Sequence, residues 1–387
     1  MKRIVLITIV ALMVFAATTA DAVESLGYSV GHPSFSSVSN RIVFASNYGG
    51  NSDIYRINSD GSSLVRLTDS ESDYSRPEWS PDGNYIAYQK TDAAGKDSVM
   101  VMNADGSGAH SITTGTYEEW SPAWLPNGNQ LLVATSRNNS PDLLLIASSG
   151  SEVRYVAASV EQEDSPSCFP DAASVAYHVV DASEGLDGDK MRLHIWKRSL
   201  TDISVTPVQL TTGAYRDRDP KVSPSGGSIA FTTNRSGYGL AVYVMNADGT
   251  NMAAVPTGDG EAFGPAWVSG NRIVFVRRTY VEDGEVGLAD VCAVNLDGTN
   301  LTQVTHTVAR PQCSPEAGTY SGAQTIAITC DSPGATIRYT MDGTKPTEAS
   351  PVYSTPILVD HSLTLKAKAW KTDWFPSHGR SGDYVIE

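Results

Sequence analysis

The stretch Arg76-Pro77-Glu78-Trp79-Ser80-Pro81-Asp82-Gly83-Asn84-Tyr85-Ile86-Ala87-Tyr88 reads as strand, tight turn, strand. Proline presets φ, aspartate bonds its own backbone, and glycine accepts positive φ, so Pro81-Asp82-Gly83 is turn chemistry. One such hairpin buries too little surface to stand alone in water. The pattern returns with leading prolines at 33, 77, 122, 166, 220 and 265, in steps of 44, 45, 44, 54 and 45 residues. A fixed period of this length in a β-rich chain predicts a propeller.

A second element shares the period. Asp53–Gly61, Val99–Gly106, Val242–Gly249 and Val291–Gly298 are apolar strands closed by Asp-Gly, a strong hairpin signal. A short strand follows each, as at Val65-Arg66-Leu67-Thr68. Four strands per repeat make one blade. Six blades are expected between about residues 30 and 307, with Trp79, Trp124 and Trp267 as core between blades rather than ligand platforms. Ring closure is open at this stage: residues 23–30 add a strand to the last blade, or packing alone joins the ends.

The 387 residues carry a formal charge of −15, which argues against a nucleic-acid partner. From residue 310 onward there are seven Lys+Arg and eight Asp+Glu, a balance of −1, so the remainder holds −14. The acidity therefore belongs to the repeats and suits cationic partners. A divalent cation in the channel is compatible with it, without any ligand motif; no other cofactor is expected. Residues 1–22 have the form of a signal peptide: Lys2-Arg3, an apolar run from Ile4 to Ala17 broken by Thr8, then Ala20-Asp21-Ala22. That predicts a periplasmic or secreted protein with no transmembrane body.

The candidate binding surface is the set of segments that enter each blade's first strand. They hold Asp73, Tyr74 and Arg76; Glu118, Glu119 and Trp120; Glu163 and Asp164; Arg216, Asp217 and Arg218; and Glu261 and Phe263. Repeat geometry places all of them at one mouth of the central channel. Aromatic residues among charges are enriched at interfaces. The opposite end carries the Asp-Gly turns and reads as structural. The fourth repeat's extra length falls at residues 183–190, an acidic loop expected to be a mobile tip rather than an ion-binding loop.

Pro-x-Trp-Ser-Pro-Asp-Gly, then Ile-Ala-Tyr, then Asn-x-Asp-Gly-Ser/Thr and Leu-Thr, resembles the TolB-type six-bladed β-propeller repeat over about 280 residues. The resemblance implies an extracytoplasmic scaffold; a similar propeller is also the non-catalytic part of oligopeptidases. After Arg310-Pro311 the character changes to short alternating strands, a small antiparallel sandwich. Here Ser314-Pro315…Gly318-Thr319-Tyr320, Tyr339-Thr340-Met341-Asp342-Gly343-Thr344-Lys345-Pro346-Thr347 and Leu365–Trp370 look like the C-terminal domain of chitobiases and β-hexosaminidases, a resemblance that implies an immunoglobulin-like β-sandwich. The expected division is 1–22 signal, 23–308 propeller and 309–387 sandwich, an all-β chain.

Cys313 and Cys330 fall on expected neighbouring strands and are candidates for a disulfide, while Cys168 and Cys292 read as buried thiols. Trp370, Trp374 and Phe375 form either a stacking platform or core and edge. His178 and His194 flank the inserted loop and are the one histidine pair to consider. There is no Gly-x-Ser-x-Gly elbow. Three functions are in play: a non-catalytic scaffold binding a protein partner at the mouth, a carbohydrate-associated envelope protein touching polysaccharide, and a channel-based hydrolase or lyase. The first is preferred, and fold alone does not decide among them.

Overall fold

The computed structural model describes residues 30–48, 50–137, 140–159, 161–181, 191–237, 239–280 and 286–387. The signal-like residues 1–22 and the loop at 183–190 lie outside the described residues. Six antiparallel sheets follow one another, each built from four consecutive strands. Their first strands are Val30–Ser36, Asp73–Trp79, Glu119–Trp124, Gln162–Cys168, Arg218–Val222 and Glu261–Ser269, and we number the blades one to six in that order. Among the described residues there is no helix long and apolar enough to cross a membrane.

The repeat signals each have a mechanical role. Asp60, Asp105, Asp248 and Asp297 accept from the backbone N–H and the hydroxyl two residues on, which fixes the turn between third and fourth strands. Thr68, Thr113, Thr211 and Thr305 accept from the N–H of Ile54, Val99, Ile195 and Val291, pinning the short outer strand to the third. The tryptophans lie between blades: Trp124 Nε1 donates to the Glu78 carbonyl at 3.2 Å, and Trp267 Nε1 to that of Lys221 at 2.8 Å.

Every seam between blades has its own apolar cluster. Val43 and Ile54 pack with Trp79 and Ile86 between blades one and two, and Phe169 packs with Ile229 and Phe231 between blades four and five. Blades six and one share no strand among the described residues, so packing closes the ring there. Ile42, Phe44 and Tyr55 meet Val274, Val276 and Val291. The polar edge of this seam copies the others. Gly61 has φ +86°, and a Cβ on it would stand 2.8 Å from the Val304 carbonyl oxygen, as one on Gly106 would stand 3.1 Å from that of Leu67.

The C-terminal module is two facing sheets. One holds Gln312–Ser314, Gln324–Thr329 and Ile357–Val359; the other holds Gly318–Tyr320, Arg380–Ile386, Leu363–Trp370 and Thr336–Thr340. Ile326, Val359, Leu365 and Tyr384 fill the space between them. The expected disulfide is absent: both thiols are free. The strands are neighbours as expected, but the register sets Cys313 opposite Ile328, and the Cys330 thiol donates to the Ala309 carbonyl instead.

The module is riveted to the ring. Phe375 is 3% exposed and sits in the blade six–blade one cluster, with ring centroids 5.4 Å from Tyr55, 6.3 Å from Phe44 and 4.8 Å from Tyr48. Its backbone pairs with the exit of blade six: Phe375 N–H donates to the His306 carbonyl, and Val308 N–H to that of Phe375. Trp374 stacks on His306 at 4.6 Å, with the Lys371 ammonium 3.8 Å from its ring centroid. These aromatic side chains are thus joints between domains. Phe375→Ala should cost about 3–5 kcal/mol. Hydrogen exchange in the same variant should quicken in the strands of blades one and six before those of blades three and four; uniform quickening would count against the rivet.

Candidate functional site

All six first strands share one irregularity. The residue before each leading proline, namely His32, Arg76, Ser121, Ser165, Asp219 and Gly264, has φ between 49° and 59°. The register to the second strand shifts there in every blade. These are β-bulges, which re-aim a side chain out of the ladder. Left-handed backbone costs a residue with Cβ about 1–2 kcal/mol, so five of the six carry strain. The six residues and their prolines line one axial cavity of about 50 Å³, room for a few waters.

The ring is charged and self-compensated. Arg76 donates to Ser165 Oγ at 3.0 Å and lies 3.9 Å from Asp164; Ser165 Oγ donates to Asp219 at 3.2 Å; Arg218 lies 3.6 Å from Asp219. Burial pushes the Asp219 carboxyl up, but Arg218 and Arg76 outweigh it and hold it well below the usual carboxylate range. Asp164 behaves likewise beside Arg76. Burial, then Arg76, pushes His32 down to about 3, and burial lowers His178 against the pull of Asp164. Both imidazoles are therefore neutral at pH 7.

Two residues deeper, roughly 6–7 Å along the strands, the Lys221 ammonium meets the Glu78 carboxylate at 2.7 Å. Glu78 belongs to blade two and Lys221 to blade five, on opposite sides of a six-blade ring, so this ion pair spans the axis. The channel is thus a cup with a polar floor. Its three carboxylates, Glu78, Asp164 and Asp219, are matched by Lys221, Arg76 and Arg218. Among the described residues no cluster of His, Cys, Asp and Glu is arranged to hold a metal ion.

The thirteen mouth residues expected from the sequence divide into three groups. Arg76 lines the axial cavity, and Asp164 and Arg218 pair with the lining residues Arg76 and Asp219. Asp73 is exposed and accepts from Ser52 N–H; Glu118 and Arg216 are half-buried on the rim, where Arg216 donates to the Met191 carbonyl. The rest are internal. Tyr74 is buried between blades one and two, and Trp120 and Phe263 pack against blade cores. Glu119, Glu163 and Asp217 are buried at 0–4% exposure, and Glu261 faces Arg278 at 3.5 Å. The expectation that these present charge to a ligand is corrected for Glu119, Asp217 and Glu261: a carboxylate buried beside its own arginine is already spent.

The structure adds residues that sequence reading missed. Arg137 holds Glu119 at 3.1 Å and stacks 5.0 Å from the Tyr117 ring centroid; Arg235 holds Asp217 and stacks 4.2 Å from that of Tyr215. Tyr117 and Tyr215 are 44% and 37% exposed and stand on the mouth rim. His32, Glu78, Asp219 and Lys221 could have been found by lining up the positions flanking each proline. His178 and His194 do not form a pair: His194 lies across from Val179, so it and His178 occupy opposite faces of the blade.

Internal and binding groups should respond differently to mutation. Arg235→Met strands the buried Asp217 carboxylate and should cost about 3–5 kcal/mol in chemical denaturation. Arg218→Ala, with a half-exposed side chain and a long ion pair, should cost less than about 1 kcal/mol. Equal losses would contradict the division.

Comparison with known proteins agrees with this architecture. The TolB beta propeller domain family matches residues 8–187, and the chitobiase/beta-hexosaminidase C-terminal domain family matches residues 315–377. The Tol-Pal system protein TolB of Sodalis glossinidius (strain morsitans) is 30% identical over 66 residues, 17% of this chain and 15% of that protein. Among solved structures, the tricorn protease superposes with a TM-score of 0.54 at 13% identity, over 92% of this chain and 35% of that one. TolB from Acinetobacter baumannii gives 0.48 at 14%, over 94% and 84%. The first likeness is one of fold. By its repeats, its ring and its C-terminal sheets, the chain is a TolB-type six-bladed β-propeller followed by a chitobiase/β-hexosaminidase C-terminal-type domain.

Proposed function

We propose that this protein is a cell-envelope scaffold, periplasmic or secreted, that docks a protein partner on the propeller mouth. The observation that carries the reading is the cup itself. Its floor is an ion pair across the axis, while its wall and rim hold Arg76, 3.9 Å from Asp164, Arg218, whose Nε has no hydrogen-bond partner, and the exposed rings of Tyr117 and Tyr215. Partly satisfied arginines beside exposed tyrosines are the composition of interface hot spots. The short stretch shared with a protein named for the Tol-Pal system supports an envelope setting, as does the signal-like N-terminal sequence. No contact at the C-terminal tryptophans favours a glycan role, since Trp374 is engaged by His306 and Lys371.

The test is site-specific photo-crosslinking in the native envelope. A photoreactive residue replacing Tyr117 or Tyr215 should yield one discrete protein adduct, and one replacing Asp105 or Asp248 on the turn face should yield none. Adducts confined to the turn face would refute the reading.

A further inference from the structure

The position three residues before each leading proline is Val30, Tyr74, Glu119, Glu163, Asp217 and Ala262 in blades one to six. It is apolar or aromatic in three blades and acidic in the other three. Where it is acidic in blades three and five, the second strand supplies the cation. Glu119 lies across from Thr135, and Arg137 follows two residues on. Asp217 accepts from Thr233, and Arg235 follows two residues on. In blade four Glu163 lies across from Val179, and the residue two further on is Asp181. Blade four has kept the buried carboxylate and put a carboxylate where the arginine stands.

Glu163 bears the mark of that loss. It is 4% exposed, its Oε2 has no hydrogen-bond partner, and among the described residues no cation stands beside it as Arg137 stands beside Glu119. Burial, then Asp142 and Glu161, pushes its carboxyl up to about 7 against a hydrogen bond from Ser159. Two residues before it, where blades three and five carry the stacked Tyr117 and Tyr215, blade four carries the exposed Glu161. A buried, unpaired carboxyl is costly unless something satisfies it.

We infer that the blade-four sector of the mouth is a subsite for a basic side chain, arginine or lysine, of the docked partner, which takes the place that Arg137 and Arg235 hold in blades three and five. The inference rests on the mouth-docking reading and deepens it by naming the partner's chemistry. The carboxylate lies at the same shallow depth as Glu119 and Asp217, one guanidinium below the surface, where the two arginines are themselves 16% exposed. The planar fork of a guanidinium matches a carboxylate in two hydrogen bonds and fits best. The propeller's −14 draws cationic segments to this face from a distance.

The probe is the blocked peptide acetyl-Gly-Arg-Gly-amide, titrated by NMR into the full chain, with the glutamine peptide as reference. The wild type should bind the arginine peptide saturably and at least tenfold more tightly than the glutamine one. Glu163→Gln should erase that difference while leaving thermal stability unchanged or raised. Asp181→Arg should rebuild the blade-three arrangement and block the peptide. An arginine peptide that binds Glu163→Gln as well as wild type, or does not bind wild type in the millimolar range, overturns the subsite. Mouth crosslinks found alongside that failure would keep the docking reading; peptide binding without mouth crosslinks would sink docking and leave the subsite.

Discussion

Six left-handed residues, each locked in front of a proline, are the constraint on which the rest of this structure depends. A proline disfavours helical backbone in the residue before it, and left-handed backbone disfavours any residue with a Cβ. The chain accepts both penalties at His32, Arg76, Ser121, Ser165 and Asp219. In return five of the six first strands turn one polar side chain from the ladder to the axis, and the sixth has Gly264 there. Six such bulges at one level make a polar ring inside an otherwise apolar barrel of blades, and the cup follows from them.

What keeps the bulges at one level is the seam between blades. Five seams join consecutive repeats, and the sixth joins the two ends of the ring. It uses the same parts, an apolar cluster and a glycine turn against the neighbour's outer strand, and adds Phe375 from the C-terminal module. The C-terminal module is thereby part of the ring's closure. The mouth inherits its rigidity from that joint, because every blade is held on both sides.

The fold was legible because its signals are local and repeated. Asp-Gly turns and Leu-Thr endings do by hydrogen bond what their residue types suggest, and the leading prolines mark the bulges. The site was legible only in part. Sequence placed Glu119, Glu163 and Asp217 at the mouth by position, but which of them are neutralised depends on residues some 18 positions later, in another strand. The Arg137–Glu119 spacing recurs in Arg235–Asp217 but not in blade four, where Asp181 takes the arginine's place. The axial pair Glu78–Lys221 joins residues 143 apart, and only the closed ring brings them together. The Cys313–Cys330 expectation failed by register: the strands are neighbours, but the two thiols are not opposite each other.

The central claim is that the mouth of the closed ring, and no other face, receives a protein. Hydrogen exchange of the full chain with and without a solubilised native envelope fraction tests it most directly. The account predicts new protection in the loops that enter the first strands, around residues 69–76, 114–121, 161–165, 212–219 and 258–264, with the Asp-Gly turns unchanged. Protection confined to the turn face or to residues 309–387 would contradict it.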